Sequence, residues 1–265
     1  MKIGLLKEDA PENRVALLPE AISSLVAQKI EVLIEKDAGK GAYAQDDQYR
    51  DAGAGVVSRD KIFDQAQLIL SINAPDIEKV KKMKPGQVIA GMFNPLSNPG
   101  MVKAFQQGSI TAFSLDAVPR ISRAQAMDVL SSMATVAGYR AVLESALNLP
   151  TFFPMFMSAA GTIKPAKVLV LGAGVAGLQA IATARKLGAV VEVFDVRSAV
   201  KEEVQSLGGK FIEVEGARED AAAGGYAVEQ TEEFKKKQTQ MIQDHAIKSD
   251  VVICTAQIPG RRAPL

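Results

Sequence analysis

The segment Lys167-Val-Leu-Val-Leu-Gly172-Ala-Gly174-Val-Ala-Gly177-Leu178 decides how this chain is read. Four apolar residues, 168–171, run into Gly172-x-Gly174-x-x-Gly177, and an alanine-rich stretch follows. The first run has the length of a buried strand and the second that of a helix. Asp195 closes the next strand-like run, Val190-Val-Glu-Val-Phe194, and stands 23 residues after Gly172. Strand, glycine turn, helix, strand and acid form the fingerprint of a dinucleotide-binding unit. Gly172 permits the tight turn, Gly174 lets backbone approach a pyrophosphate, and Gly177 lets helix pack on strand. The helix start at Val175 and Ala176 presents free N–H groups and a positive dipole to the anion. Asp195 can accept hydrogen bonds from an adenosine ribose and would repel a 2′-phosphate, which predicts NAD(H) rather than NADP(H). Arg197 is the opposing signal, because a guanidinium there could receive that phosphate.

Outward from this unit the alternation continues. The second half reads as strands at 168–171, 190–194, 211–214 and 251–255, with helices at 175–187, 200–207 and 232–245. Residues 216–229 are rich in Ala and Gly, lack periodicity and read as a long loop. The first half alternates strands at 2–6, 30–35, 67–73, 87–91 and 110–115 with helices at 19–28, 46–52 and 99–107. Alternation of this kind predicts an α/β fold with parallel sheets and crossover helices. A long helix is expected over 122–148, opened by the capping box Ser122-x-x-Gln125. Residues 149–165, with Phe152, Phe153, Phe156, Met155 and Met157, are expected to pack between two lobes. Those lobes are placed at 1–136 and 137–265, and the second sheet ends short of the six strands of a full dinucleotide fold.

Composition excludes several classes. The chain has 265 residues, 31 Lys+Arg against 30 Asp+Glu, one cysteine and one histidine. A net charge of +1 gives no field that gathers nucleic acid or membrane. A single cysteine, Cys254, forbids an internal disulfide and is expected in the core. A single histidine, His245, disfavours a His-rich metal site or a Ser-His-Asp triad and is expected on the surface near a helix end. Lysines at 79–84 and 235–237 read as solvated helix faces. Two uncharged stretches carry prolines or glycines where a membrane span would not, so no span is expected.

Arg120, Gln125, Asp128 and Ser131 gather at one helix start, with Gln125, Asp128 and Ser132 sharing a face. That stripe reads either as a cap and solvated ion pair, or as groups that orient a nicotinamide carboxamide; spacing does not choose. The run Pro119-RISRAQAMDVLSSMATVAGYRA-Val142 resembles the NAD(H)-binding component of proton-translocating nicotinamide nucleotide transhydrogenase. Lys7-Glu8-x-x-Pro11-x-Asn13-Arg14-Val15-Ala16-Leu17-x-Pro19 and the run from Gly172 to Val190 are similar to the wider group that includes alanine dehydrogenase. Gly224-Gly225-Tyr226-Ala227 and Thr255-Ala256-Gln257-Ile258-Pro259-Gly260 also resemble the component, and the match covers essentially the whole chain.

The resemblance implies two Rossmann-like lobes with a cleft holding NAD(H), the second lobe incomplete at its C-terminus. It implies a homodimer docked on an NADP(H)-binding component and a membrane domain, at the cytoplasmic face of the cell membrane. It places Arg120, Ile121, Ser122, Arg123, Gln125, Asp128 and Ser131 at the nicotinamide. Gly172, Gly174, Val175, Ala176 and Gly177 fall at the pyrophosphate, and Asp195, Val196 and Arg197 at the ribose. Gly225 and Tyr226 match a mobile loop, and Ala256 joins the site.

Hydride exchange between two nicotinamide rings needs alignment at roughly 3–3.5 Å and no proton transfer to substrate. A chain without histidine near either motif suits such chemistry, with Arg120 and Asp128 fixing the carboxamide and Gln125 bridging to the second ring. Two other readings stay open. An alanine-dehydrogenase-like enzyme would use Arg14 to clamp a carboxylate, yet Asn73 stands where that group has a lysine, and 88–96 offers Asn94 and no histidine. A non-catalytic NAD sensor would use the same fold as a switch.

Overall fold

Ile3-Gly-Leu5 and Val32-Leu-Ile34 have no polar face to give to water, so they form strands covered on both sides. They belong to the first of two compact units, Met1–Asp128 and Val129–Leu265. The computed structural model describes residues 1–119, 121–214 and 231–256. In the first unit β1 (Lys2–Leu5), α1 (Pro19–Ala27), β2 (Glu31–Glu35), α2 (Asp46–Asp51), β3 (Gly55–Val57), α3 (Arg59–Gln65) and β4 (Leu68–Asn73) follow in order. Then come α4 (Ile77–Val80), β5 (Val88–Met92), α5 (Pro99–Gln107) and β6 (Thr111–Ser114). The strands make a parallel sheet of order β3-β2-β1-β4-β5-β6. This is the doubly wound order, whose winding reverses between β1 and β4. Leu5, Ile22, Ile34, Ile62, Ile69 and Ile89 fill the space between sheet and helices.

The second unit opens with α6 (Val129–Asn148), then a hairpin of β7 (Phe156–Ser158) and β8 (Gly161–Ile163). It continues as β9 (Lys167–Leu171), α7 (Val175–Lys186), β10 (Val190–Phe194), α8 (Lys201–Ser206), β11 (Lys210–Phe211), α9 (Glu232–Ala246) and β12 (Val251–Cys254). Its four-stranded parallel sheet has the order β11-β10-β9-β12, so here the winding reverses between β9 and β12. Both units are α/β with parallel sheets, as the alternation predicts.

Several local expectations change. The helix expected over 122–148 is broken: Ser122–Met127 is a 3-10 helix, and Asp128 at φ −79°, ψ 84° leaves helical space before α6 begins. Ser122 is therefore no capping residue, and Ile121 stands at the N-cap without a side-chain bond. Strand β3 and helix α3 are extra to the sequence reading, because three residues of strand show no periodicity. Of the five aromatic and methionine side chains at 152–157, Phe153 alone is buried, in the second unit's core, while the others are about half or more exposed. Cys254 is exposed rather than buried. Strand alternation sends Ile253 into the core and turns Val252 and Cys254 to the opposite, open face. His245 is half-buried at the end of α9, where Nδ1 lies 2.7 Å from Glu192 Oε2. Lys79 is half-buried and pairs with Asp9 at 2.5 Å, while Lys84 is exposed as expected and pairs with the exposed Asp64 at 2.5 Å. Among the described residues no helix is long and apolar enough to cross a membrane.

Candidate functional site

The glycine turn joins β9 to α7, and its three glycines have three different surroundings. Gly172 sits at φ +101°, where a side chain is strained, and a Cβ there would lie 2.7 Å from Thr255 Oγ1. Its N–H donates to the Phe194 carbonyl at 2.8 Å, tying the turn to β10. A Cβ on Gly177 would stand 1.9 Å from the Gly172 carbonyl oxygen, so α7 can close on the strand end only because that atom is missing. A Cβ on Gly174 would meet nothing within 4 Å. This glycine opens onto free space at the helix start, where backbone could meet an anion. No side-chain hydrogen bond caps α7 there. Open backbone, uncapped N–H groups and a positive helix end fit a dinucleotide's pyrophosphate.

Asp195 lies against this turn. Its Oδ2 accepts the Ala173 N–H at 2.7 Å, a bond that spans from the end of β10 to the residue between the first two glycines. Arg197 supplies the remaining donors: its N–H and Nε reach Oδ1, both at 2.9 Å, and Nη2 reaches Oδ2 at 2.8 Å. Burial pushes the Asp195 carboxyl up, but the bonds from Arg197 and Ala173 outweigh it and hold the group below the usual carboxylate range. The arginine that the sequence offers to a phosphate is engaged with its own neighbour. Val196 between them is half-buried.

Two residues, each inside a run that carries the resemblance, have structural roles that the sequence does not reveal. The Thr255 hydroxyl, just past β12, donates to the carbonyls of Gly172 at 2.9 Å and Leu171 at 3.2 Å, bracing the turn from across the winding reversal. Ala256 follows it and is exposed. Gly138 on α6 is the other: a Cβ there would stand 2.1 Å from the Ala176 carbonyl oxygen, in the first turn of α7. Neither role follows from the spacing in those runs, since both residues act on a turn or helix distant in sequence.

Gly172, Gly174, Val175, Ala176, Gly177, Asp195, Val196, Arg197 and Ala256 thus share one end of the second unit's sheet. Ile121, Ser122, Arg123 and Gln125 are exposed on and beside the 3-10 helix of the first unit, and Asp128 is half-buried at its end. Ser131 is half-buried in the first turn of α6. Arg120, Gly225 and Tyr226 lie outside the described residues.

The first unit has its own cavity, of about 520 Å³, at the carboxyl ends of β1 and β4 and lined in part by Glu8, Asp9, Glu12, Arg59, Asn73 and Asp76. It sits where the winding reverses, the usual place for a ligand in such sheets. Arg14 beside it is gripped by Glu12, with Nε at 2.9 Å from Oε1 and Nη2 at 2.6 Å from Oε2. That grip, against the effect of burial, pulls the Glu12 carboxyl down to about 2. Asn73 is held likewise, its N–H 3.0 Å and its Nδ2 3.2 Å from Glu8 Oε2. A guanidinium so paired is poorly placed to clamp a substrate carboxylate. Among the described residues no group of acids, histidines or cysteines could hold a metal ion.

Known proteins match the chain in two parts that meet within α6, downstream of the break between the compact units after Asp128. Residues 4–137 match the family model of the alanine dehydrogenase/PNT N-terminal domain, and residues 141–265 match that of the C-terminal domain. The chain is 47% identical over its full length to an NAD(P) transhydrogenase subunit alpha chain of Rhodospirillum rubrum, covering 71% of that protein. It superposes over its full length on 72% of the transhydrogenase crystal structure from Sinorhizobium meliloti, with a TM-score of 0.87 and 40% identity. Similarity to an alanine dehydrogenase of Staphylococcus haemolyticus is lower, 28% over the full chain and 66% of that protein.

Proposed function

Because this chain belongs to the alanine dehydrogenase/PNT family, on its NAD(P) transhydrogenase alpha-subunit branch, we propose that it is the component that binds NAD(H) and exchanges hydride with NADP(H) on a partner component. Proton translocation belongs to a separate membrane domain in this reading, and the chain works as a homodimer at the cytoplasmic face of the membrane. The observation that carries the nucleotide assignment is the Asp195 carboxylate bonded to Ala173 within the glycine turn. An acid in that place serves a ribose diol and opposes a 2′-phosphate.

When bound, the nicotinamide supplies the hydride chemistry. The chain's own residues bind and orient. N–H groups from 174 to 177 hold the pyrophosphate, and Asp195 takes the ribose with Val196 and Arg197 beside it. Gly225, Tyr226 and Ala256 are assigned to the same nucleotide site by the resemblance. Arg120 and Asp128 fix the carboxamide and thereby the ring face presented, helped by Ile121, Ser122, Arg123 and Ser131, while Gln125 reaches toward the NADP(H) ring. No residue is asked to move a proton, which agrees with a chain whose one histidine is bonded to Glu192 at the far end of α9.

The amino-acid oxidation reading is disfavoured by Glu12, which occupies the arginine that would hold the substrate. A fluorescence titration of NADH, with NADPH as competitor, tests the assignment. NADH binding that NADPH displaces only weakly supports it; equal displacement refutes the NAD(H) preference. Stopped-flow hydride transfer in Gln125→Asn, with the partner component present, tests the bridging role, and normal transfer at normal NADH affinity would refute it.

A further inference from the structure

A carboxylate offers about four acceptor positions on its two oxygens. At Asp195 all four are taken: by the Ala173 N–H, and by the N–H, Nε and Nη2 of Arg197. The Asp195 side chain is only 6% exposed, against 29% for Arg197, so the guanidinium stands between the carboxylate and solvent. The two backbone bonds hold the turn and the strand end in place and cannot be given up without unmaking them. The guanidinium bonds can be, because side-chain torsions alone carry that group away.

We propose that Arg197 is an internal competitor of the nucleotide, occupying the face of Asp195 that an adenosine ribose must take. Residues 195 and 197 then act as one selectivity device. The inference rests on the reading of the second unit as a nucleotide site. In the closed pair Asp195 is neutralised and covered. To bind a ribose diol the guanidinium swings off, and Glu203 in the first turn of α8 also favours its charge. Apparent affinity is the intrinsic affinity multiplied by the fraction of molecules in which the pair is open. Once open, Arg197 attracts a 2′-phosphate while the bared Asp195 repels it. Arg197 therefore weakens NADH and assists NADPH, which narrows the discrimination that Asp195 alone would give. A purely structural arginine would move both nucleotides in the same direction.

The test is a pair of fluorescence titrations, NADH and NADPH, on the full chain and on Arg197→Met and Arg197→Lys. Arg197→Met should tighten NADH roughly three- to tenfold, the scale of a partly exposed charge-assisted pair. It should leave NADPH unchanged or weaker, so the selectivity ratio widens. Arg197→Lys, which keeps the charge but loses the fork, should fall between. The gain should vanish with the 2′-deoxyadenosine analogue of NADH, which has no diol to occupy the freed oxygens. If Arg197→Met binds NADH as tightly as or more weakly than the parent at an unchanged melting temperature, the competitor role is overturned. If Arg197→Met does not fold, Arg197→Lys decides by the same ratio, and a parental ratio overturns it. The two readings fail differently. A parent chain that binds no NADH, with Asp195→Asn indistinguishable, overturns the nucleotide site and this inference with it. NADH binding that Asp195→Asn weakens, with selectivity untouched at position 197, overturns this inference alone.

Discussion

Replacing Gly138 by alanine adds a single methyl group at the point where α6 meets the dinucleotide turn. The new Cβ would lie 2.1 Å from the Ala176 carbonyl oxygen, 2.9 Å from its carbonyl carbon and 3.1 Å from its Cα. Ordinary van der Waals contact begins at about 3.4 Å, and backbone atoms cannot rotate aside as a side-chain tip can, so the helices must part by about 1 Å. Overpacking of this kind costs about 1–3 kcal/mol. Alanine's better helix propensity offsets at most about 1 kcal/mol of that. The net loss is expected at about 1–2 kcal/mol, or roughly 2–8 °C in melting temperature for a chain of this size. Ala176 belongs to the first turn of α7, so the displacement also reaches the N–H groups proposed to hold the pyrophosphate. NADH affinity should fall on the order of tenfold, the worth of one charge-assisted hydrogen bond. Gly100 in α5 supplies the control, since a Cβ there meets only Ile77 Cδ1 at 3.9 Å. Gly100→Ala should be neutral or slightly stabilising. Thermal unfolding and NADH titration of both variants read the difference. If Gly138→Ala behaves like Gly100→Ala in both assays, close backbone approach is not what holds α6 against α7.

Other outcomes follow from single contacts. Thr255→Val keeps the shape but removes the hydroxyl that braces Gly172 and Leu171; a stability loss of about 1 kcal/mol and several-fold weaker NADH binding are expected by melting and titration. Asp195→Asn removes the charge and leaves the Arg197 guanidinium without its carboxylate; NADH should weaken on the order of tenfold, with NADPH affected less. Glu12, lowered from 4.5 to about 2, stabilises the fold fully above its ordinary value and loses that contribution as pH falls through the interval between the two. Melting temperature should drop between about pH 4.5 and 2, and Glu12→Gln should flatten part of the drop; an unaltered profile would refute the pairing with Arg14. Burial pushes the Glu192 carboxyl up, but its bonds to His245 and Lys210 together outweigh that and lower it, so it adds to the loss on the acid side.

Much of the site could be read from the chain because its determinants are local. The three glycines fall within six residues, and the acid sits one strand further on. The expectations that fail do so where composition or spacing leaves open the path of the backbone or the face that a residue takes. Ser122 and Gln125 have capping-box spacing, yet the backbone leaves helical space at Asp128 and the helix begins afterward. Cys254 sits in an apolar run that looks uniformly buried, but only every second residue of β12 faces the core. Phe152, Met155, Phe156 and Met157 look like core by composition and lie exposed on and beside a two-stranded hairpin.

From the sequence alone came the α/β class, the parallel winding, the phosphate turn and the acid that faces it, because strand period, helix period and glycine spacing are short-range properties. Only the tertiary structure decided what those groups do to one another. It brought Thr255 back to Gly172 over 83 residues and laid Gly138 on Ala176. It also fixed the local backbone that closes Arg14 on Glu12 and Arg197 on Asp195, each pair only two residues apart in sequence. Residue identity states which bonds a side chain can make. Which partner it takes depends on distances that the fold sets, and a charged pair forms with whichever neighbour is close enough to compensate both groups' lost hydration.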